Sequence, residues 1–221
     1  MTYKTKILEI EDLTHDVKKF VVEKPEGYNF IPGQHTIVSI NQPKWENKKR
    51  LFTFSSSPED PLLEFIIKVY PKNKGVTEKL HTLVIGDELI IGKALGILGY
   101  KNKGIFITAG TGIAPFVSIL KQLKKEGENK EQKLFFSNKT CKDIIMEDKL
   151  KEIFKNKIIF TLTREDKEGY NKGRIDESFL RKNIDDFNQN FYICGSREFM
   201  KNIKDILKNI GIKEELIIIE K

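Results

Sequence analysis

Between residues 100 and 104 the hydrophobic pattern of this chain changes period, and no other feature constrains the fold as tightly. Before that point, short runs rich in β-branched residues recur at 6–10, 19–22, 35–40, 63–69 and 88–91. Clusters of Gly, Pro, Asn and Asp separate them at 25–27, 32–33, 41–43, 58–61 and 71–75. Many short strands with frequent turn signals predict an antiparallel barrel or sandwich, interrupted by one helix near 76–83. After residue 104, strand-like segments at 105–108, 133–137, 157–161, 191–193 and 216–219 alternate with helical spacing at 115–125, 144–154, 177–182 and 198–209. Such alternation predicts right-handed crossovers and a parallel sheet covered on both faces. The expected architecture is an antiparallel β-barrel over residues 1–100, followed by a doubly wound α/β domain over 101–221.

Composition removes several classes of function. Hydrophobic residues make up 39% of the 221 and charged residues 32%, enough apolar material for two cores. No stretch approaches the roughly 18 unbroken apolar residues of a membrane helix. Lys4, Lys6, Glu9 and Glu11 stand where a signal peptide would be apolar, so a soluble cytoplasmic protein is expected. Two cysteines, Cys141 and Cys194, cannot supply a disulfide framework, a four-cysteine zinc site or an iron–sulfur cluster, and no metal site is expected. The net charge of +7 is spread along the chain without a basic arm, which argues against nucleic acid and leaves a mild attraction for acidic proteins. Only Arg50, Arg164, Arg174, Arg181 and Arg197 break the dominance of lysine. In such a chain an arginine marks a need for a planar, two-pronged donor.

Two segments carry chemistry. Ile105-Phe-Ile-Thr-Ala-Gly110-Thr111-Gly112-Ile-Ala-Pro115 reads as a strand, a glycine-rich turn and a helix entered through proline. Gly110 and Gly112 let backbone N–H groups approach a ligand, and a helix start favours a pyrophosphate. Arg50-Leu51-Phe52-Thr53 sets a guanidinium, an aromatic face and a hydroxyl within four residues, a set suited to one phosphate-bearing aromatic ligand.

Together with three further motifs, these segments resemble the ferredoxin–NADP reductase superfamily. Arg50-Leu51-Phe52-Thr53 is similar to its R-x-[YF]-[ST] flavin motif, and Phe30-Ile-Pro32-Gly33-Gln34 to its F-x-P-G-Q turn. Gly75-Val76-Thr77-Glu-Lys-Leu80 resembles its G-x-x-[ST]-x-x-L helix start, Gly110 to Pro115 its nicotinamide-domain turn, and Tyr192-Ile-Cys194-Gly195 its late strand ending in Cys-Gly. The five motifs keep the family's order from residue 30 to 195. The resemblance implies that Arg50 holds the flavin phosphates, Phe52 lies against the isoalloxazine ring and Thr53 bonds near N5. It implies that Gly75, Val76 and Thr77 receive the pyrophosphate, and that Gly110, Thr111 and Gly112 hold the pyridine nucleotide. Cys194 and Gly195 would flank the hydride path, with Thr53 and Cys194 as the catalytic pair. FAD is implied in preference to FMN. Thr163-Arg164 stands where NADPH-using relatives place a hydroxyl and an arginine, so NADPH is expected over NADH, with Lys167, Lys172 and Arg174 as added charge.

The chain also departs from the family pattern. Phe52 replaces a common tyrosine, Ser196-Arg-Glu-Phe-Met200 replaces a proline-rich segment, and no aromatic residue closes the C-terminus to shield the flavin. With no iron–sulfur cysteines in the chain, the expected electron partner is a separate small acidic carrier, a ferredoxin or a flavodoxin. The alternatives are a reductase of free flavins and a non-catalytic interaction subunit.

Overall fold

The computed structural model describes residues 1–70, 75–96, 98–127 and 132–220. They form two compact units, Met1–Ile97 with Ala114–Gly127, and Leu98–Ile113 with Glu128–Lys221. The turn expected at 71–75 lies outside the described residues except for Gly75.

The first unit is an antiparallel sheet of β1 (Tyr3–Thr14), β2 (Val17–Glu23), β3 (His35–Ile40), β4 (Arg50–Thr53), β5 (Leu62–Lys68) and β6 (Glu88–Leu95), in the order β4-β3-β6-β1-β2-β5. Beyond β4 the chain meets the far edge: Phe54 bridges to Phe65, and the Ser55 N–H donates to the Glu64 carbonyl at 2.9 Å. That contact closes the sheet into the expected barrel. Period-2 alternation turns Leu63, Phe65 and Ile67 into a core shared with Phe20, Phe30 and Phe54. Phe30 and Phe54 stack there at 4.2 Å. Helix α1 (Val76–Leu80) buries Val76 and Leu80 on this core and stops short of the expected residue 83. The Thr82 hydroxyl takes the Lys79 carbonyl and the Leu83 N–H takes Leu80, so the last turn tightens. Helix α2 (Ala114–Lys125) groups with this unit, although the sequence reading divides the chain once, at residue 100. Its polar side chains explain the grouping. Ser118 donates to the Ser56 carbonyl at 2.6 Å, and Gln122 accepts from the Ser57 hydroxyl at 2.6 Å. Lys121 pairs with Glu64 at 2.5 Å, and Lys125 pairs with Asp60 at 2.7 Å.

The second unit is a parallel sheet of β7 (Gly104–Ala109), β8 (Lys133–Asn138), β9 (Ile158–Leu162), β10 (Asn171–Lys172), β11 (Asn190–Cys194) and β12 (Ile217–Ile219), in the order β10-β9-β8-β7-β11-β12. Ile105, Ile107, Phe191 and Ile193 pack on one face with Leu180 of α4 (Glu177–Asn183) and Ile203 and Leu207 of α5 (Arg197–Asn209). Phe106 meets Phe154 of α3 (Glu147–Phe154) edge-on at 6.4 Å on the other. Burial on both faces is why these strands read as unbroken apolar runs. The helix expected from residue 144 begins at Glu147. Asp143 accepts from the N–H and hydroxyl of Thr140 and holds Cys141–Asp143 as a separate 3-10 turn, and Met146 then takes a left-handed conformation, φ 56°. Strand β10 has no apolar signature; two exposed polar residues occupy the sheet's edge. No helix among the described residues is long and apolar enough to cross a membrane.

Candidate functional site

In the first unit, β4 is an edge strand. Its partner β3 sets His35 opposite Thr53, Thr36 opposite Phe52, Ile37 opposite Leu51 and Val38 opposite Arg50. Along it, Arg50 and Phe52 share one face and Leu51 and Thr53 the other. Arg50 is exposed, its Nη1 donating to the Lys49 carbonyl at 2.8 Å, and Leu51 is 57% exposed. Phe52 leans on the barrel core, and Thr53 is half-buried. Gly75, the N-cap of α1, is extended and provides no side-chain acceptor for the first N–H groups of Val76 and Thr77. A guanidinium, a ring and a hydroxyl on one short strand, with a helix start lacking a side-chain cap in the same unit, fit a ligand that carries both an aromatic ring and phosphates.

In the second unit the chemistry gathers at the carboxyl ends of β7 and β11. Strand order reverses between these strands, and open parallel sheets bind ligands at such a point. Thr108 and Cys194 are register partners, and the Thr108 hydroxyl donates to the Cys194 carbonyl at 2.9 Å. Gly110 to Ile113 form a 3-10 turn leading into α2, in which Pro115 is the second residue. Gly110 has φ 53° with open space where a Cβ would stand, so a ligand can approach its backbone. Gly112 is glycine for the opposite reason: a Cβ there would meet the Cys194 carbonyl oxygen at 2.6 Å. Gly195 has φ 156°, and its missing Cβ makes room for the Phe199 ring. In the segment that departs from the family pattern, Ser196 caps α5 by accepting the Phe199 N–H at 3.2 Å.

Cys194 is 4% exposed, and its thiol donates to Glu220 Oε2 at 3.6 Å. Burial first, and then the adjacent Glu220 carboxylate, push this thiol well above its ordinary value, so it stays protonated. Glu220 and Thr108 escaped the sequence reading. Thr108 was legible as the polar residue near the end of the first parallel strand, whereas Glu220 carries no local motif.

Thr163 and Arg164 leave β9 on backbone bonds to the neighbouring segment, Thr163 N–H to Asn138 O at 3.0 Å and Arg164 N–H to Lys139 O at 2.9 Å. The Thr163 hydroxyl also donates to Asn138 O, at 3.2 Å. Of the additional cations, Lys172 is paired with Asp166 at 2.8 Å and Lys167 contacts Cys141. The Arg164 guanidinium forms no hydrogen bond or ion pair among the described residues.

Comparison with known proteins matches residues 4–100 to the oxidoreductase FAD-binding domain family and residues 106–205 to the oxidoreductase NAD-binding domain family. With both domains in sequence over most of its length, the chain belongs to the ferredoxin–NADP reductase-like superfamily of flavin oxidoreductases. It is 23% identical to the reductase component of propane 2-monooxygenase from Rhodococcus jostii over 99% of its own residues, and spans 63% of that relative's length. It is 28% identical to NADH-cytochrome b5 reductase 2-A from Vanderwaltozyma polyspora, covering 95% of this chain and 79% of the relative. Its fold matches a ferredoxin NADP+ reductase from Neisseria gonorrhoeae, solved with FAD and NADP, at a TM-score of 0.83 and 21% identity over 99% of this chain and 97% of that one.

Proposed function

We propose that this chain is an NAD(P)H-dependent flavoprotein reductase that hands electrons to a separate acidic carrier protein, a ferredoxin or a flavodoxin. The observation that carries the reading is the junction of Gly112 with the Cys194 carbonyl, which sets an open glycine turn against the strand end bearing a protonated thiol. The reductase part of this reading is supported by the relatives, one the reductase component of a monooxygenase and the other an NADH-cytochrome b5 reductase. FAD, when bound, supplies the chemistry, accepting a hydride from a nicotinamide and releasing electrons onward. The chain's part is alignment and electrostatics.

Residues 1–100 bind the flavin and residues 101–221 the pyridine nucleotide, a division that the two family matches support. Arg50 pairs with the flavin phosphates, Phe52 covers the ring and Thr53 bonds the ring edge. The Gly75–Thr77 start of α1 receives the pyrophosphate. Gly110, Thr111 and Gly112 hold the nucleotide, with Pro115 fixing the helix entry. Cys194 and Gly195 bound the nicotinamide, and Cys194 keeps its proton there. Thr163 and Arg164 take a 2′-phosphate, which favours NADPH; the guanidinium, unpaired among the described residues, supports this, while the Vanderwaltozyma polyspora relative is an NADH-cytochrome b5 reductase. A cytoplasmic setting goes with the two free cysteines.

The test is an acceptor panel at rising salt, with ferredoxin, flavodoxin, cytochrome b5 and free riboflavin as acceptors. The +7 chain should reduce an acidic carrier, more slowly as ionic strength rises. Turnover of riboflavin alone, indifferent to salt, would replace this reading with a free-flavin reductase. NAD(P)H oxidation with no acceptor reduced at all would remove the carrier from the account.

A further inference from the structure

The second unit holds a side-chain cluster around Cys141, and Lys167, expected from the sequence as added charge for a 2′-phosphate, contacts this sulfur instead. Cys141 opens the 3-10 turn after β8, while Glu165 and Lys167 lie in the segment after β9. The two segments are laced together by the Thr163–Asn138 and Arg164–Lys139 backbone bonds, and the turn is fixed by Thr140 and Asp143. On this frame the Cys141 N–H donates to Glu165 Oε2 at 2.6 Å, and the Cys141 thiol donates to Glu165 Oε1 at 3.5 Å. From the other side, Lys167 Nζ donates to the sulfur at 3.2 Å. One sulfur is therefore held between a carboxylate that orients its thiol and an ammonium in place to balance the thiolate, which is the nucleophilic form. The Cys141 N–H, above all, holds the Glu165 carboxyl below the usual carboxylate range, so it is ionised at neutral pH. Unlike Cys194, Cys141 is half-exposed, and it is free.

We propose that Cys141 is an oxidation site for hydroperoxides and that Lys167 traps the oxidised sulfur as a sulfur–nitrogen link between the segments after β8 and β9. In the first step the thiol gives up its proton to solvent and the thiolate, beside the Lys167 ammonium, attacks a peroxide oxygen. The O–O bond breaks, and the departing hydroxide takes a proton from the Lys167 ammonium and leaves as water. Sulfur is oxidised by two electrons to a sulfenic acid, and the peroxide is reduced by two. In the second step the freed Lys167 amine attacks sulfur, the S–O bond breaks, and a second water leaves with the nitrogen's proton. The oxidant is hydrogen peroxide or an organic hydroperoxide, and the link removes the Lys167 charge. A dithiol reverses it by attack on sulfur.

The test treats the full-length protein with hydrogen peroxide, with and without the sulfenic-acid trap dimedone, followed by non-reducing digestion and mass spectrometry. The expected result is a cross-linked peptide pair joining the segments of Cys141 and Lys167, lighter than their sum by the hydrogens lost at sulfur and nitrogen. Dithiothreitol should remove it. Lys167→Gln should lose the pair and accumulate the dimedone adduct on Cys141 instead; Cys141→Ser should give neither. Peroxide-treated wild-type protein without the pair would overturn the proposal. So would a disulfide between two copies of Cys141 in its place, or a cross-link that persists in Lys167→Gln.

Discussion

The Thr108 hydroxyl donates to the Cys194 carbonyl across 2.9 Å, between two residues that share a register position on β7 and β11 and are both buried. The bond pins together the strand ends between which chain order reverses, where the proposed nicotinamide contacts lie. Thr108→Val keeps the shape and removes the donor. A lost buried hydrogen bond costs about 1–3 kcal/mol. Urea unfolding should record a loss in that range, and NAD(P)H oxidation should slow while flavin content stays unchanged. Wild-type stability in the variant would mean the bond is not formed in solution.

Gly112→Ala tests the close approach behind it. The added methyl would meet backbone atoms of Cys194 and Gly195 at 2.6 and 2.8 Å, and neither can swing aside as a flexible side chain could. The turn must shift, and displacement of this kind slows a positioned reaction on the order of 10- to 100-fold. Reduction by NAD(P)H should fall by that factor in stopped-flow traces, with bound flavin undiminished. An unchanged rate would mean the turn does not hold the nucleotide.

Arg164→Ala should separate the two pyridine nucleotides. If the guanidinium holds a 2′-phosphate, its loss removes a charge-assisted contact of about 1.5–3 kcal/mol. KM for NADPH should then rise by about an order of magnitude or more, with KM for NADH nearly constant. Parallel changes for both would assign the loop no part in the choice.

How much of this was legible in the sequence depended on how local the determining signal was. The barrel and the parallel sheet could be read because period-2 segments and strand–helix alternation are written residue by residue. The β4 motif and the glycine turn could be read for the same reason. Glu220 could not, because its meeting with Cys194 depends on β12 adding beside β11, a pairing between segments far apart in the chain. Nor could the grouping of α2 with the barrel, which rests on Ser118, Lys121, Gln122 and Lys125 finding partners more than fifty residues away. The start of α3 was misplaced because Ile144 and Ile145 are apolar enough to read as helix, yet both are buried outside it, between the Cys141–Asp143 turn and Met146.

Asp60 makes one of these remote contacts titratable. Burial opposes its charge, but a hydrogen bond from Lys125, the Ser57 N–H and the Lys121 ammonium outweigh that and hold the carboxyl below its ordinary value. A carboxyl lowered by folding stabilises the fold above its unfolded pKa of about 3.9, and that contribution is lost as pH falls through the folded value. Asp60→Asn should therefore lower stability at pH 7 by up to about 1 kcal/mol, since the pairs are partly exposed. Thermal unfolding should show the gap between variant and wild type closing below about pH 4. A gap that is constant across that range would mean the charge contributes nothing.

The most direct test of the central claim is an anaerobic titration of the purified protein with NADPH and then NADH, read by flavin absorbance and paired with Arg50→Ala. Wild-type protein should retain FAD, its flavin bands should bleach with either nucleotide and at lower concentrations of NADPH, and Arg50→Ala should purify depleted of flavin. A wild-type protein that retains no added FAD, FMN or riboflavin, or that holds a flavin which both nucleotides leave oxidised, would contradict it.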